Sequence, residues 1–173
     1  IYYNHKNTGR PPRAEAWTHI DDIPAGAEQF SLGNESHYLD AGFTPLFPFG
    51  FGLSYSQFEY SDLQLSSKKI KLGDKLSVSA KISNTGEVVA DEVVQLYVRD
   101  LVGDVTRPVK ELKGFQRIRL EPGEERNVTF ELSTDDLAFY NQKMEFATEP
   151  GIFHVWVAGD SVSGLKGQFE IVD

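Results

Sequence analysis

Among the side chains of this sequence, the carboxylates are best placed to do chemistry, because neighbouring Asp and Glu can share acid and base steps between them. Four adjacent pairs occur: Asp21-Asp22, Asp91-Glu92, Glu124-Glu125 and Asp135-Asp136. The last three fall at strand starts or turns, where acidic groups are solvated or cap backbone amides, and they read as structural. Asp21-Asp22 lies in an aromatic-bearing stretch without periodicity and reads as structure or solubility. The histidines His5, His19, His37 and His154 show neither HxH nor HExxH spacing, so no metal site is expected. No nucleophile elbow, phosphate loop or dinucleotide fingerprint occurs, and neither a catalytic residue nor a cofactor is assigned. Aromatics offer a different chemistry, because sugar rings stack on exposed aromatic faces. Tyr97 and Trp156, joined by Tyr60, occupy outward strand positions that would make such a platform. The competing reading packs them against the N-terminal tail or a neighbouring domain.

The 173 residues suffice for one ordinary domain plus an appendage, and at 40% hydrophobic the chain can bury a core. The net charge of -9 disfavours a polyanion, so nucleic acid is not an expected partner. There is no cysteine, which excludes disulfides and thiolate metal sites. No apolar run approaches the roughly 18 residues of a membrane span. The chain starts at Ile1 and its one methionine is Met144, which points to a fragment, a processed product or an excised piece.

The elements are organised around PFGFGLSY at 48–55, where Gly50 and Gly52 alternate with Phe49, Phe51 and Leu53. Backbone able to turn sharply is interleaved there with large side chains that need cover. Upstream, the sequence is polar and loop-like. Trp17, Phe30, Phe47, Phe49, Phe51 and Tyr55 read as an anchor that buries against another domain, each fully buried ring contributing about 2–3 kcal/mol.

Downstream, strand signals recur about every ten residues. FEYSDLQL at Phe58–Leu65 changes phase, which predicts a bulge near Ser61. Leu76, Val78, Ala80 and Ile82 alternate with polar residues; Val94, Leu96 and Val98 define one face of the next strand. Leu112, Ile118 and Leu120 are candidates for burial, with Gly114 marking a bend or bulge. Glu121-Pro122-Gly123 predicts a turn, and the run from Ser133 to Leu137 a capped helical turn. Seven or eight strands and no covering helix predict an all-β fold: an antiparallel two-sheet sandwich, immunoglobulin-like or fibronectin type III-like, with an extended N-terminal tail. The expected division is a tail at 1–57, holding the end of an upstream domain and a linker, and a sandwich at 58–173.

Four separated stretches, FPFGFGLSYSQFEYSDL, ADEVVQLYVRD, TRPVKELKGFQRIRLEPGEE and EPGIFHVWVAGDS, resemble the C-terminal end of family 3 glycoside hydrolases, of the periplasmic β-glucosidase type. IYYNHKNTGRPP resembles the last stretch of that family's α/β sandwich domain. The resemblance implies a parent enzyme that is a retaining β-glucosidase or related exo-glycosidase, periplasmic or secreted, acting on β-linked oligosaccharides. It also implies that both catalytic carboxylates belong to upstream domains, so this chain alone would be non-catalytic. The expected role is to pack on those catalytic domains and stabilise them, with residues 15–46 reaching toward the substrate cleft. The alternative is a carbohydrate-binding or surface-attachment module using Tyr97 and Trp156; a third reading is a dimerisation surface.

Overall fold

The computed structural model describes residues 18–27 and 45–173. Within them the chain forms ten strands: β1 (Phe58–Leu65), β2 (Lys69–Lys71), β3 (Lys75–Asn84), β4 (Ala90–Asp100), β5 (Glu111–Leu120), β6 (Glu125–Ser133), β7 (Phe139–Tyr140), β8 (Phe146–Ala147), β9 (Gly151–Ala158) and β10 (Leu165–Val172). A three-stranded sheet has the order β1-β3-β6, a five-stranded sheet the order β2-β10-β9-β4-β5, and β7-β8 form a small hairpin. The fold is a β-sandwich. Pairing is antiparallel, as expected, with one addition at the sheet edge, where the three-residue β2 runs parallel to β10. The cause is a change of sheet: after β1 the chain crosses to the edge of the larger sheet and lies beside the final strand, where the Leu72 N–H meets the Val172 carbonyl at 3.0 Å.

Alternation decides which residues meet between the sheets. Leu76, Val78, Ala80 and Ile82 of β3 are buried, as are Val94, Leu96 and Val98 of β4. Phe153 and Phe169, on neighbouring β9 and β10, stack at 5.4 Å between ring centres. The expected bulge in β1 is present: the register with β3 shifts between Ser61 and Gln64, and Asp62 takes a left-handed φ of 54°. Gly114 also marks a bulge, with the β4–β5 register shifting opposite Leu96 and Tyr97. There a side chain on Gly114 would press on the Phe130 ring at 3.3 Å. That shift reverses the phase of β5. Ile118 and Leu120 are buried as expected, whereas Leu112 turns outward to solvent.

The predicted turns also form. Gly123 follows Pro122 with φ 76°, and the Ser133–Asp136 capping box opens a short 3-10 helix at Thr134–Leu137. Asn84, at the end of β3, is 1% exposed and joins both sheets to the N-terminal segment. Its Nδ2 donates to the carbonyls of Val88 (2.9 Å) and Leu120 (3.0 Å), while its Oδ1 accepts from Ser56 Oγ (2.6 Å) and the Gly86 N–H (3.0 Å). Every hydrogen-bonding capacity of the amide is used.

Removing that amide leaves buried carbonyls unpaired. Asn84→Ala is expected to lower the unfolding free energy by about 2–3 kcal/mol, read from the midpoint of urea denaturation at an unchanged slope.

Candidate functional site

The site forms on the outer face of the five-stranded sheet, where β4 and β9 present Gln95, Tyr97 and Trp156. A glutamine on an outward strand position is ordinarily solvated, yet Gln95 is 4% exposed. Residues 48–51 cover it. They form a turn closed by the Phe51 N–H on the Pro48 carbonyl at 3.1 Å, with Gly50 at φ 83° in its third position. Gln95 Nε2 donates to the Gly50 carbonyl at 3.1 Å and to the Gly159 carbonyl, and its Oε1 accepts the Tyr97 hydroxyl at 2.5 Å. The Ser161 N–H adds a bond to the Phe49 carbonyl at 2.9 Å. Only glycine fits at position 50: a Cβ there would collide with Gln95 Oε1 and lie 2.7 Å from the Tyr97 hydroxyl.

A second attachment follows at Ser56, through Asn84, and at Gln57, whose carbonyl takes the Thr85 N–H at 2.9 Å. Between and before these two points the side chains stand outward. Phe47 is 65% exposed, Leu53 92% and Tyr55 100%, and Phe49 and Phe51 are also exposed. Phe47 and Phe51 touch, with ring centres 5.2 Å apart. Four members of the expected anchor, Phe47, Phe49, Phe51 and Tyr55, therefore share one region beside Gln95. Trp17 and Phe30 lie outside the described residues, as does most of 15–46.

Beside this segment runs a groove of ≈ 650 Å³ lined by Phe49, Phe51, Phe58, Phe115, Tyr60 and Glu92, among others. Tyr60 donates its hydroxyl to Glu92 Oε1 at 2.6 Å. Burial holds the Glu92 carboxyl above the usual carboxylate range, outweighing the hydrogen bond from Tyr60 that favours the charged form. Burial likewise raises the Tyr60 phenol, with the bond to Glu92 and that group's charge adding to it. The Tyr97 phenol is pushed up to about 12, first by burial and then by the charge of Asp160.

Tyr97 corrects the expectation of a sugar platform. It occupies the outer face, as alternation requires, but at 2% exposure the 48–51 turn covers it and no ring face is open for stacking. Trp156 is half-buried and carries the Lys110 ammonium 4.3 Å and the Lys166 ammonium 5.6 Å from its ring centre, with the His154 ring meeting it edge-on. The carboxylate pairs are structural. Asp91 binds Arg117, Glu124 binds Arg126 and the Glu121 N–H, Asp136 completes the capping box, and the exposed Asp21 and Asp22 sit in a 3-10 turn. Among the described residues no group of three or more His, Cys, Asp and Glu converges to hold a metal. Gln95, Glu92 and Asn84 were missed as a framework; the sequence signal was polar residues inside strand runs, at Gln95 and Asn84.

The fold defines a class of protein, the fibronectin type III-like β-sandwich, and a model described as a fibronectin type III-like domain matches residues 92–161. The chain is 38% identical to a periplasmic beta-glucosidase of Salmonella typhimurium over 99% of its own length and 21% of that protein. It is 48% identical to a beta-xylosidase of Formosa agariphila over 82% of its length and 18% of that protein. A crystal structure of a beta-glucosidase from Listeria innocua in complex with isofagomine superposes with a TM-score of 0.78 at 38% identity, over 99% of this chain and 22% of that one. The chain belongs to the family 3 glycoside hydrolases, as a C-terminal portion that carries their fibronectin type III-like domain. It spans about a fifth of the length of these relatives. No helix among the described residues is long and apolar enough to cross a membrane.

Two outcomes are expected at the clamp. Gly50→Ala should accelerate hydrogen exchange at the Ser161 amide, which bonds Phe49, while leaving the amide of Val155 in the buried middle of β9 protected. Because the folded state holds the Tyr97 proton more tightly than the unfolded chain, its contribution to stability is complete below pH 10 and is lost as pH rises from 10 toward about 12. Tyr97→Phe should flatten that alkaline loss in denaturation midpoints measured across this window.

Proposed function

We propose that this chain is the non-catalytic C-terminal module of a larger β-glucosidase-type hydrolase, and that its 47–55 segment is the surface by which it packs on the upstream catalytic domains. The observation that carries this reading is the combination of fastening and exposure. The backbone is tied to the sheet at 49–50 and 56–57, yet Phe47, Leu53 and Tyr55 turn their apolar surface to solvent. A chain that immobilises large apolar side chains on a rigid sheet without covering them has prepared an interface. Phe115 at 66% exposure, with Val93 and Leu112, continues that apolar surface across β4 and β5.

In this reading the parent enzyme hydrolyses β-linked glucosides or xylosides, the activities that its relatives' names give for those proteins, and does so in the periplasm, as one such name has it, or outside the cell. The module holds the catalytic domains in their working arrangement, and residues 15–46 approach the cleft. The domain division follows: the tail of 1–57 bridges, and 58–173 is the sandwich. Catalytic carboxylates would be supplied upstream, because a retaining mechanism needs two of them about 5 Å apart across one sugar.

The test is glycosidase activity on aryl β-glucoside and β-xyloside. This polypeptide alone should show none. The separately produced upstream portion should be weakly active and regain activity on mixing, and Phe47→Ala with Tyr55→Ala should weaken that rescue. Hydrolysis by this chain alone, or an upstream portion fully active and stable without it, would overturn the reading.

A further inference from the structure

We propose that the groove beside the 48–55 segment receives an arginine side chain from the remainder of the enzyme polypeptide, its guanidinium meeting the Glu92 carboxylate. This rests on the packing role just described and adds the chemistry of one contact to it.

Charge complementarity selects the occupant. Most acidic groups along the neighbouring strands have a cation: Asp91 has Arg117, Glu111 has Arg107 and Lys113, Glu124 has Arg126, and Glu125 has Lys81. Glu92 is different. Among the described residues it forms no ion pair, and its partner is the Tyr60 hydroxyl. Asp160, at the same groove, spends its Oδ1 on the Val162 and Ser163 N–H groups, both at 2.8 Å, and likewise has no ion pair among the described residues. Among the described residues, the groove therefore carries negative charge without a counter-ion. A half-buried carboxylate in that position costs stability until a cation reaches it.

The shape of the lining narrows the choice further. Phe51, Phe58 and Phe115 line the groove with aromatic rings. A guanidinium is planar, stacks on aromatic rings, is weakly hydrated compared with an ammonium, and can bind a carboxylate through two N–H groups. The ≈ 650 Å³ volume accommodates such a side chain with its flanking residues. Relatives of this chain are about five times longer, so the partner polypeptide exists in the same molecule. The apolar surface at Phe47, Leu53 and Tyr55 would meet that same body, placing the groove at the rim of one continuous contact.

Glu92→Gln is the discriminating variant, because the amide oxygen still accepts the Tyr60 hydroxyl while the charge is removed. In the full-length enzyme it is expected to lower Tm, and the wild-type Tm is expected to fall toward that of the variant in about 1 M salt, which screens the pair. In the 173-residue chain by itself the same change is expected to leave Tm unchanged or raise it. A Tm that is unaltered or raised in the full-length enzyme would overturn the proposal, and so would an equal loss in both proteins, since that would mark Glu92 as important only inside the sandwich. If Phe47→Ala with Tyr55→Ala destabilises the full-length enzyme but Glu92→Gln does not, the packing role stands and the arginine site falls. If neither variant affects it, both readings fall together.

Discussion

The Gln95 amide governs where the N-terminal segment lies. It sits on the face of β4 that points away from the core, and it is nevertheless buried, so each of its polar atoms must find a partner inside the protein. The Gly50 and Gly159 carbonyls and the Tyr97 hydroxyl meet that requirement. An unmet one would cost on the order of 1–3 kcal/mol, enough to select one path for the 48–51 turn over others. Gly50 then follows as a necessity, because the turn approaches Gln95 and Tyr97 too closely for a side chain. The outward display of Phe47, Leu53 and Tyr55 is a consequence of that same path.

Asn84 plays the matching part at the other end. Its amide links the tip of β3 to the end of β5 in the opposite sheet and to Ser56 of the incoming segment. Two buried amides thus hold the segment at both ends, while the hydrophobic core between the sheets supplies most of the stability without specifying where the segment goes. Burial is non-directional, whereas hydrogen bonding is directional. The division of labour explains how a sandwich of ordinary composition presents a defined apolar edge.

The groove between the sheets beside the 48–55 segment and the outer face around Trp156 carry the electrostatic features that a larger enzyme can use. Glu92 accepts the Tyr60 hydroxyl in a partly desolvated groove, and Lys110 and Lys166 crowd Trp156. Domain contacts within one polypeptide are typically less apolar than a core, and a surface mixing exposed rings with a half-buried charge has that character. The sugar-stacking possibility weakens for the same reason: the aromatic residue expected at its centre, Tyr97, is already committed to the clamp.

Much of the sandwich was legible in the sequence because strand alternation is a local property. Leu76 to Ile82, Val94 to Val98 and the turn at Glu121-Pro122-Gly123 each carry their own signal within a few residues, and the phase change in β1 announced its bulge. The glycines of the 48–55 stretch likewise announced a sharp turn, which Gly50 makes. The tertiary structure alone decided the parallel β2–β10 edge, the outward turn of Leu112 and the burial of Tyr97, Gln95 and Asn84. Each depends on partners distant in the chain: a crossing between sheets, a bulge that shifts register, or a backbone carbonyl 45 residues away in the case of Gln95 and Gly50. Local pattern specifies which face a side chain takes; only the folded chain specifies what comes to lie over that face.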